Sequence, residues 1–156
     1  LDPGTVAALA ALRAGPVDAG DGVLLCHGSP SDEDEYLASA SAVEDAFRFL
    51  ERSHPAARFC LHGHTHVPYA AAWRAGRARE LDPSEVALEG GARYLLSPGS
   101  VGQPRDGNPG ASFGILDLSR GSWRVVRVPY DVAGARAKIA AARLPASLAD
   151  RLVEGR

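Results

Sequence analysis

The chain has 156 residues, of which 46% are hydrophobic, so its length suits one domain with enough apolar material for a buried core. Nineteen acidic against seventeen basic residues leave a formal net charge of -2, which argues against a surface that binds nucleic acid or anionic lipid. No apolar run approaches the ~20 residues that cross a bilayer, and the two cysteines resemble reduced thiols, so we expect a cytoplasmic protein without a membrane partner.

The first predicted elements alternate between helix and strand. A short helix is expected over Thr5–Ala14, and GVLLCHG at 22–28 is the continuous apolar run of a buried interior strand. A long helix is expected over Ser31–Ser53, capped by Ser31, and ARFCLHG at 57–63 repeats the strand pattern. A strand, a helix and a strand in this order form a parallel pair, which predicts an α/β fold with its site at the strand ends.

The acidic run from Asp32 to Glu35 has two interpretations. Its carboxylates could form a metal cluster, but acids at the start of a helix also interact favourably with the exposed amides of the first turn. We prefer the second interpretation, which leaves the run outside the candidate site.

After Pro68 the pattern changes to short strands joined by glycine-containing turns, which favours a second, mostly antiparallel sheet. The strands are expected within 69–81, 85–97, 111–119 and 122–131. The segment 132–156 is expected to be helical, to be interrupted at Pro145 and to close the fold as a cover. Leu148 and Leu152 are spaced for one face of that helical segment.

Histidines are concentrated at the expected strand ends. His62, His64 and His66 lie at every second position after one buried strand, and His27 follows the other. Because the two strands are expected side by side, His27, His64 and His66 are predicted to converge on a divalent cation, which neutral imidazole binds well. The alternative is that they are surface or core histidines. His54 is excluded, since a cation at the end of the long helix favours the helix dipole.

Three segments carry a family resemblance. HGSP at 27–30, GHTHVP at 63–68 and SPGSVGQPRDGNPGASFGILD at 97–117 resemble the later motifs of the calcineurin-like metallophosphoesterases, especially the small bacterial phosphodiesterases. The resemblance implies part of a four-layer α/β/β/α sandwich and a hydrolase of phosphate esters with two divalent metal ions, drawn from Mn, Fe, Zn, Ni or Co.

The resemblance also assigns the histidines. It implies that His27 and His64 bind one metal ion and that His66 binds the other. His62 precedes the motif glycine and is not a usual ligand of the family, so we expect it to flank the ligands and support them without binding the metal. Its alternative is an ordinary strand histidine.

The earlier motifs that the resemblance implies do not occur in this sequence. They are an aspartate-x-histidine, a glycine-aspartate and a glycine-asparagine-histidine, and the chain also contains no methionine. We therefore expect residues 1–156 to be a single domain, the carboxyl-terminal portion of a phosphoesterase domain that lacks the amino-terminal strands. Alone, it is expected to bind metal weakly and to hydrolyse little. The strand at 22–28 would be an exposed edge, so a homodimer is expected there.

The loop SPGSVGQPRDGNPG offers polar side chains for a substrate. Ser100, Gln103 and Arg105 lie among residues that permit tight turns, and a guanidinium suits a phosphate oxygen. The alternative is that Arg105 pairs with Asp106 or a carbonyl and only shapes the loop.

Two other function classes remain open. One is a phosphoesterase fold that works by binding partners, against which the intact histidines argue. The other is a structural metal-binding domain, for which Cys26, Cys60 and His62 would be the ligands.

Overall fold

The protein is described from a computed structural model, and the structure describes residues 1–13 and 15–156. Helices and strands are mixed along the chain. In order they are α1 Pro3–Ala10, β1 Val17–Gly20, β2 Val23–Leu25, α2 Ala40–Ser53, β3 Phe59–Leu61, β4 Pro68–Arg74, β5 Arg77–Leu81, β6 Glu85–Ala87, β7 Arg93–Pro98, β8 Ala111–Asp117, β9 Ser122–Val128, α3 Val132–Ala141 and α4 Ala146–Glu154.

The larger sheet has six strands in the order β1-β2-β3-β7-β4-β5. β2 and β3 are parallel, with Leu24 opposite Cys60, and the helix α2 connects them. The predicted strand–helix–strand unit is therefore confirmed. β3 also pairs in parallel with β7, so β3 has a hydrogen-bonded strand on each side.

The prediction that the strand at 22–28 is an exposed edge is wrong. β1 pairs antiparallel with β2 through a tight turn in which Asp21 and Gly22 both have positive φ, and β1 forms the edge instead. β2 is also shorter than predicted, and Leu25 is 40% exposed, so the strand is not buried on both faces. A dimer contact at β2, as expected from the sequence, would first require β1 to be displaced.

The partition of the later strands also differs from the prediction. Only β6, β9 and β8 form the second sheet, which is antiparallel, whereas β4, β5 and β7 join the larger sheet. β7 is the reason, because it pairs in parallel with β3 and antiparallel with β4 over residues Pro68 to Trp73. The alternation of apolar residues predicts a strand but does not select its neighbour.

Two apolar clusters hold three layers together. The apolar stripe of α2, which includes Phe47 and Leu50, packs on one face of the larger sheet, and Phe47 stacks on Trp73 with ring centroids 5.3 Å apart. The opposite face packs against the small sheet through residues that include Tyr94 and Trp123. The order of layers is therefore helix, six-stranded sheet and three-stranded sheet.

The long helix begins at Ala40, nine residues later than the predicted start at Ser31. Ser39 provides the cap, since its Oγ accepts from Ala42 N at 3.2 Å. Upstream, Ser29 Oγ accepts from Asp32 N at 3.0 Å, which closes a turn that competes with helix formation. The acidic run therefore lies in a loop, and our interpretation of it as a helix start is wrong.

The two terminal regions match their predictions in type more than in bounds. α1 spans Pro3–Ala10 with Asp2 as its cap, against the predicted Thr5–Ala14, of which Ala14 lies outside the described residues.

The break at Pro145 is confirmed, because it separates α3 from α4. Leu152 is buried in the structure, whereas Leu148 is 37% exposed, so only one of them faces inward. Across residues 1–13 and 15–156, none of the helices is long and apolar enough to span a bilayer.

Candidate metal centre

The histidine loops meet because β2 and β3 end side by side. Beyond the last paired strand residues the hydrogen bonds continue, with Cys26 N donating to Leu61 O at 3.0 Å and Gly63 N donating to His27 O at 2.9 Å. These bonds hold the chain at His27 against the segment that contains His64. The predicted adjacency of the two loops is therefore present in the structure.

His27 and His64 form a close pair. Nε2 of His27 lies 2.9 Å from Nδ1 of His64, and the rings meet edge to face with centroids 4.7 Å apart. Two nitrogens bound to one tetrahedral zinc ion at ~2.0–2.1 Å would be ~3.3 Å apart. The observed separation is close to that value, so small movements of the rings would let both nitrogens bind one cation.

The loop that carries the histidines has an unusual backbone. His64 and His66 both have a φ of 59°, in the left-handed region that side chains with a Cβ rarely adopt. Such residues cost about 1–3 kcal/mol each and are concentrated at functional sites. The strain indicates that the surrounding structure holds this loop in a specific form.

His66 faces a different partner. Its Nδ1 lies 2.8 Å from the backbone oxygen of Gln103, and because a carbonyl can only accept, Nδ1 must carry the proton. Nε2 is then the nitrogen that can bind a metal, and the carbonyl fixes the orientation of the ring as outer ligand partners commonly do. Arg105 N also donates to His66 O at 3.2 Å, so His66 is held to the loop around residue 104.

The three predicted ligands therefore form a pair and a separate single residue. Among the residues that the structure describes, no three histidine, cysteine, aspartate or glutamate side chains are close enough to hold a metal ion together. The imidazoles thus fit part of a metal centre, two on one cation and His66 apart from them. Their assignment as ligands stays a prediction.

The alternative ligand set does not assemble. Cys26 and Cys60 lie with their Sγ atoms 3.4 Å apart, but in the described part of the chain they form no group of three ligands with His62, whose ring nitrogens have no hydrogen-bond partner. The contact with Cys26 and burial raise the pKa of the Cys60 thiol, which disfavours the thiolate that a metal needs. Burial lowers the pKa of His62 to about 4, so this ring is neutral at physiological pH. His62 contacts Tyr69 edge to face, and its flanking role stays a prediction.

Ser100 and Gln103 hold the shape of their loop. Ser100 Oγ accepts from Gln103 N at 2.9 Å, and Gln103 Nε2 donates to Arg156 O at 3.4 Å. Both polar side chains thus have partners within the protein. Their predicted contact with a substrate stays a prediction.

Arg105 does not pair with Asp106, as one sequence interpretation allowed. Asp106 forms an ion pair with Arg127, whose guanidinium also donates to Gly110 O at 2.9 Å. None of the ion pairs found among the described residues involves Arg105. The half-buried guanidinium of Arg105 lies near the histidines and has no carboxylate partner in an ion pair, so it is suited to bind an anion.

Sequence reasoning missed Tyr36. Its ring lies against His64 with centroids 4.0 Å apart and a tilt of 52°, and its hydroxyl is 3.5 Å from Nη1 of Arg105. The sequence predicts this residue in the first turns of the long helix, a position from which no contact with the histidines is expected. The only sequence signal for the loop was HGSPS before it, whose glycine, serines and proline favour turns.

The chain belongs to the calcineurin-like phosphoesterase superfamily, because the domain profile of that superfamily matches residues 7–121. The members of this superfamily are phosphoesterases, which are hydrolases, and they generally bind divalent metal ions. The family and the mixed α/β fold expected from the sequence are thereby confirmed.

Individual relatives support the same family. The uncharacterized protein MJ0912 of Methanocaldococcus jannaschii is 34% identical over 139 residues, which cover 88% of this chain and 53% of that protein. The crystal structure of a metallophosphoesterase from Sphaerobacter thermophilus matches with a TM-score of 0.80 at 30% identity, over 100% of this chain and 63% of that one.

A more distant structure shows the fold alone. The crystal structure of the hypothetical protein PH1004 from Pyrococcus horikoshii OT3 matches with a TM-score of 0.60 at 18% identity, over 86% of this chain and 46% of that one. The chain thus spans about half the length of the curated relative and less than two thirds of each solved structure.

Proposed function

We propose that the chain supplies part of the active site of a metal-dependent phosphoesterase, which hydrolyses phosphate esters. The observation that supports this most directly is the contact of 2.9 Å between His27 Nε2 and His64 Nδ1 at the ends of two parallel strands. Membership of the phosphoesterase superfamily supplies the reaction class, and the loop strain at His64 and His66 supports a functional role for this region.

Each side chain has a separate role in this proposal. His27 and His64 hold one divalent ion, and His66 holds the other through Nε2, with its ring oriented by the Gln103 carbonyl. When bound, two such ions lower the pKa of a water molecule and neutralise charge on a phosphate group. Arg105 places a permanent positive charge beside this region, where it can hold a phosphate oxygen of the ester.

Arg105 forms no ion pair with a carboxylate among the described residues. Because Arg127 pairs with Asp106, the carboxylate next to Arg105 in sequence is neutralised and does not compete with an incoming phosphate. Arg105 N also donates to His66 O, so the backbone at Arg105 is tied to the backbone at the second histidine of the motif. The loops that carry the proposed substrate contact and the proposed ligand are thus joined.

The chain alone is expected to bind one ion and to turn over slowly. Histidine side chains are neutral ligands, and in the described residues no carboxylate joins them to offset the repulsion between two nearby cations. We propose that the missing ligands come from a segment outside residues 1–156, as the lengths of the relatives suggest.

Metal binding is the first test of this proposal. Isothermal titration of MnCl₂ into this chain is expected to show about one binding event, which His64→Ala abolishes. His54→Ala is the matched control, because His54 lies at the end of α2 and is expected to leave binding unchanged. Equal manganese affinity in the wild type and in His64→Ala would contradict the proposed ligand set.

Hydrolysis of bis(p-nitrophenyl) phosphate with manganese is the second test. It is measured on this chain and on the same chain extended at its amino terminus with upstream residues of its gene. Turnover is expected only, or mainly, in the extended protein. Equal turnover in both would show that this chain holds a complete centre, and no turnover in either would contradict the phosphoesterase proposal.

A further inference from the structure

Tyr36 occupies a position between two parts of the proposed site. Its ring contacts the His64 imidazole at a tilt of 52°, and its hydroxyl lies 3.5 Å from the guanidinium of Arg105. His64 belongs to the proposed metal pair and Arg105 to the proposed phosphate contact.

The backbone anchors Tyr36 in this position. Leu37, the next residue, is 5% exposed and belongs to the core cluster beneath α2. Ala38 N donates to Tyr36 O at 2.8 Å, which closes a tight turn immediately before the cap of α2. Tyr36 itself is 51% exposed, so its hydroxyl is accessible from solvent. An exposed aromatic side chain on a fixed backbone is available to contact a ligand.

The contact between Tyr36 and Arg105 leaves donors free. At 3.5 Å it is a long hydrogen bond to a neutral oxygen, and a guanidinium has five N–H donors. No ion pair of Arg105 is found among the described residues. A phosphate oxygen between the two side chains would accept from the tyrosine hydroxyl and from the guanidinium together, with stronger, charge-assisted bonds.

We propose that Tyr36 is a substrate-positioning residue, which donates its hydroxyl to a phosphate oxygen of the ester alongside Arg105 while its ring holds the His64 imidazole in place. This inference rests on the proposed function and deepens it, because it places the phosphate group of the substrate between the loop that carries Tyr36 and the loop that carries Arg105. The two contributions of Tyr36 can be separated, since phenylalanine keeps the ring and loses only the hydroxyl.

The test measures binding, so it does not depend on turnover. The affinities of this chain for manganese, and of the manganese-loaded chain for inorganic phosphate, are measured by isothermal titration for Tyr36→Phe, Tyr36→Leu and Arg105→Ala. Tyr36→Phe is expected to keep the manganese affinity within about twofold and to weaken phosphate binding by about tenfold. Tyr36→Leu is expected to weaken both. Thermal melting of each variant shows whether it remains folded.

Tyr130→Phe is the matched control. Tyr130 follows β9, and its buried hydroxyl has no hydrogen-bond partner, so both affinities are expected to match those of the wild type. If Tyr36→Phe binds phosphate as the wild type does while Arg105→Ala weakens it, Tyr36 is not a phosphate contact and the inference fails alone. If the wild type binds no phosphate, or Arg105→Ala has no effect, the proposed phosphate site fails and the inference fails with it.

Discussion

The replacement of His62 by leucine should remove a large part of the acid sensitivity of this protein. His62 is 3% exposed, both of its ring nitrogens lack partners, and burial lowers its pKa to about 4 from an ordinary 6.5. Between pH 4 and pH 6.5, the His62 side chain is protonated in the unfolded chain and stays neutral in the folded chain. Above pH 6.5, protonation of His62 therefore takes nothing from the free energy of unfolding. As the pH falls toward 4, this part of the free energy of unfolding is lost.

The size of the effect follows from the two pKa values. Their difference is worth about 3 kcal/mol of unfolding free energy, at ~1.4 kcal/mol for each pH unit. At neutral pH the variant should be at least as stable as the wild type, because it removes two buried polar atoms without partners, and each such atom costs about 1–3 kcal/mol. The substitution thus changes the dependence on pH without weakening the fold.

Urea unfolding, followed by tryptophan fluorescence, measures this prediction at a series of pH values between neutral and 4. The wild type and His62→Leu are compared, with His54→Gln as the control, since His54 is only partly buried at the end of α2. The control should lose stability in acid as the wild type does. If His62→Leu loses stability with the same slope as the wild type, the burial argument is refuted.

Three further substitutions test the packing that positions the site. Gly114→Ala should destabilise the protein by about 1–3 kcal/mol or more, because the new Cβ would lie 2.0 Å from Trp123 Cη2; an unchanged melting temperature would contradict this contact. Phe47→Ala should cost about 3–5 kcal/mol in urea unfolding, since the ring is fully buried, and a loss below 1 kcal/mol would show that α2 does not pack as described. Ser39→Ala removes the cap of α2 and should cost about 1 kcal/mol; the same unfolding curve as the wild type would exclude that cap.

Part of the candidate site could be predicted from local sequence. The apolar runs before His27 and His62 indicate two strands, and the intervening helical pattern makes them parallel, which places the histidine loops together. The structure agrees, with His27 and His64 in contact. The sequence also predicts His66 as a ligand; its Nδ1 contacts the Gln103 carbonyl, which leaves Nε2 available, and its role as a ligand stays a prediction. That partner lies 37 residues away in sequence, so no local pattern indicates it.

The position of Tyr36 could not be predicted from local sequence. The spacing of apolar residues continues upstream of α2, so the sequence predicts a helix from Ser31, in which Tyr36 has no special position. In the structure the hydroxyl of Ser29 closes a turn with Asp32, and the helix starts only after Ser39. The choice between the turn and the helix depends on a small difference between competing hydrogen bonds, which tertiary contacts decide.

Apart from β1 and the loop before α2, the sequence by itself determined the element types, and it also determined the parallel pairing of β2 with β3, the break at Pro145 and the family. Each of these depends on local periodicity or on a contiguous motif. The tertiary structure alone decided that β4, β5 and β7 join the larger sheet, that β1 covers β2, and that Tyr36 and Arg105 meet beside His64. The physical reason is the same in each case: strand partners and loop contacts are selected by burial and hydrogen bonding between residues distant in sequence, and such pairings leave no periodic signal in either segment.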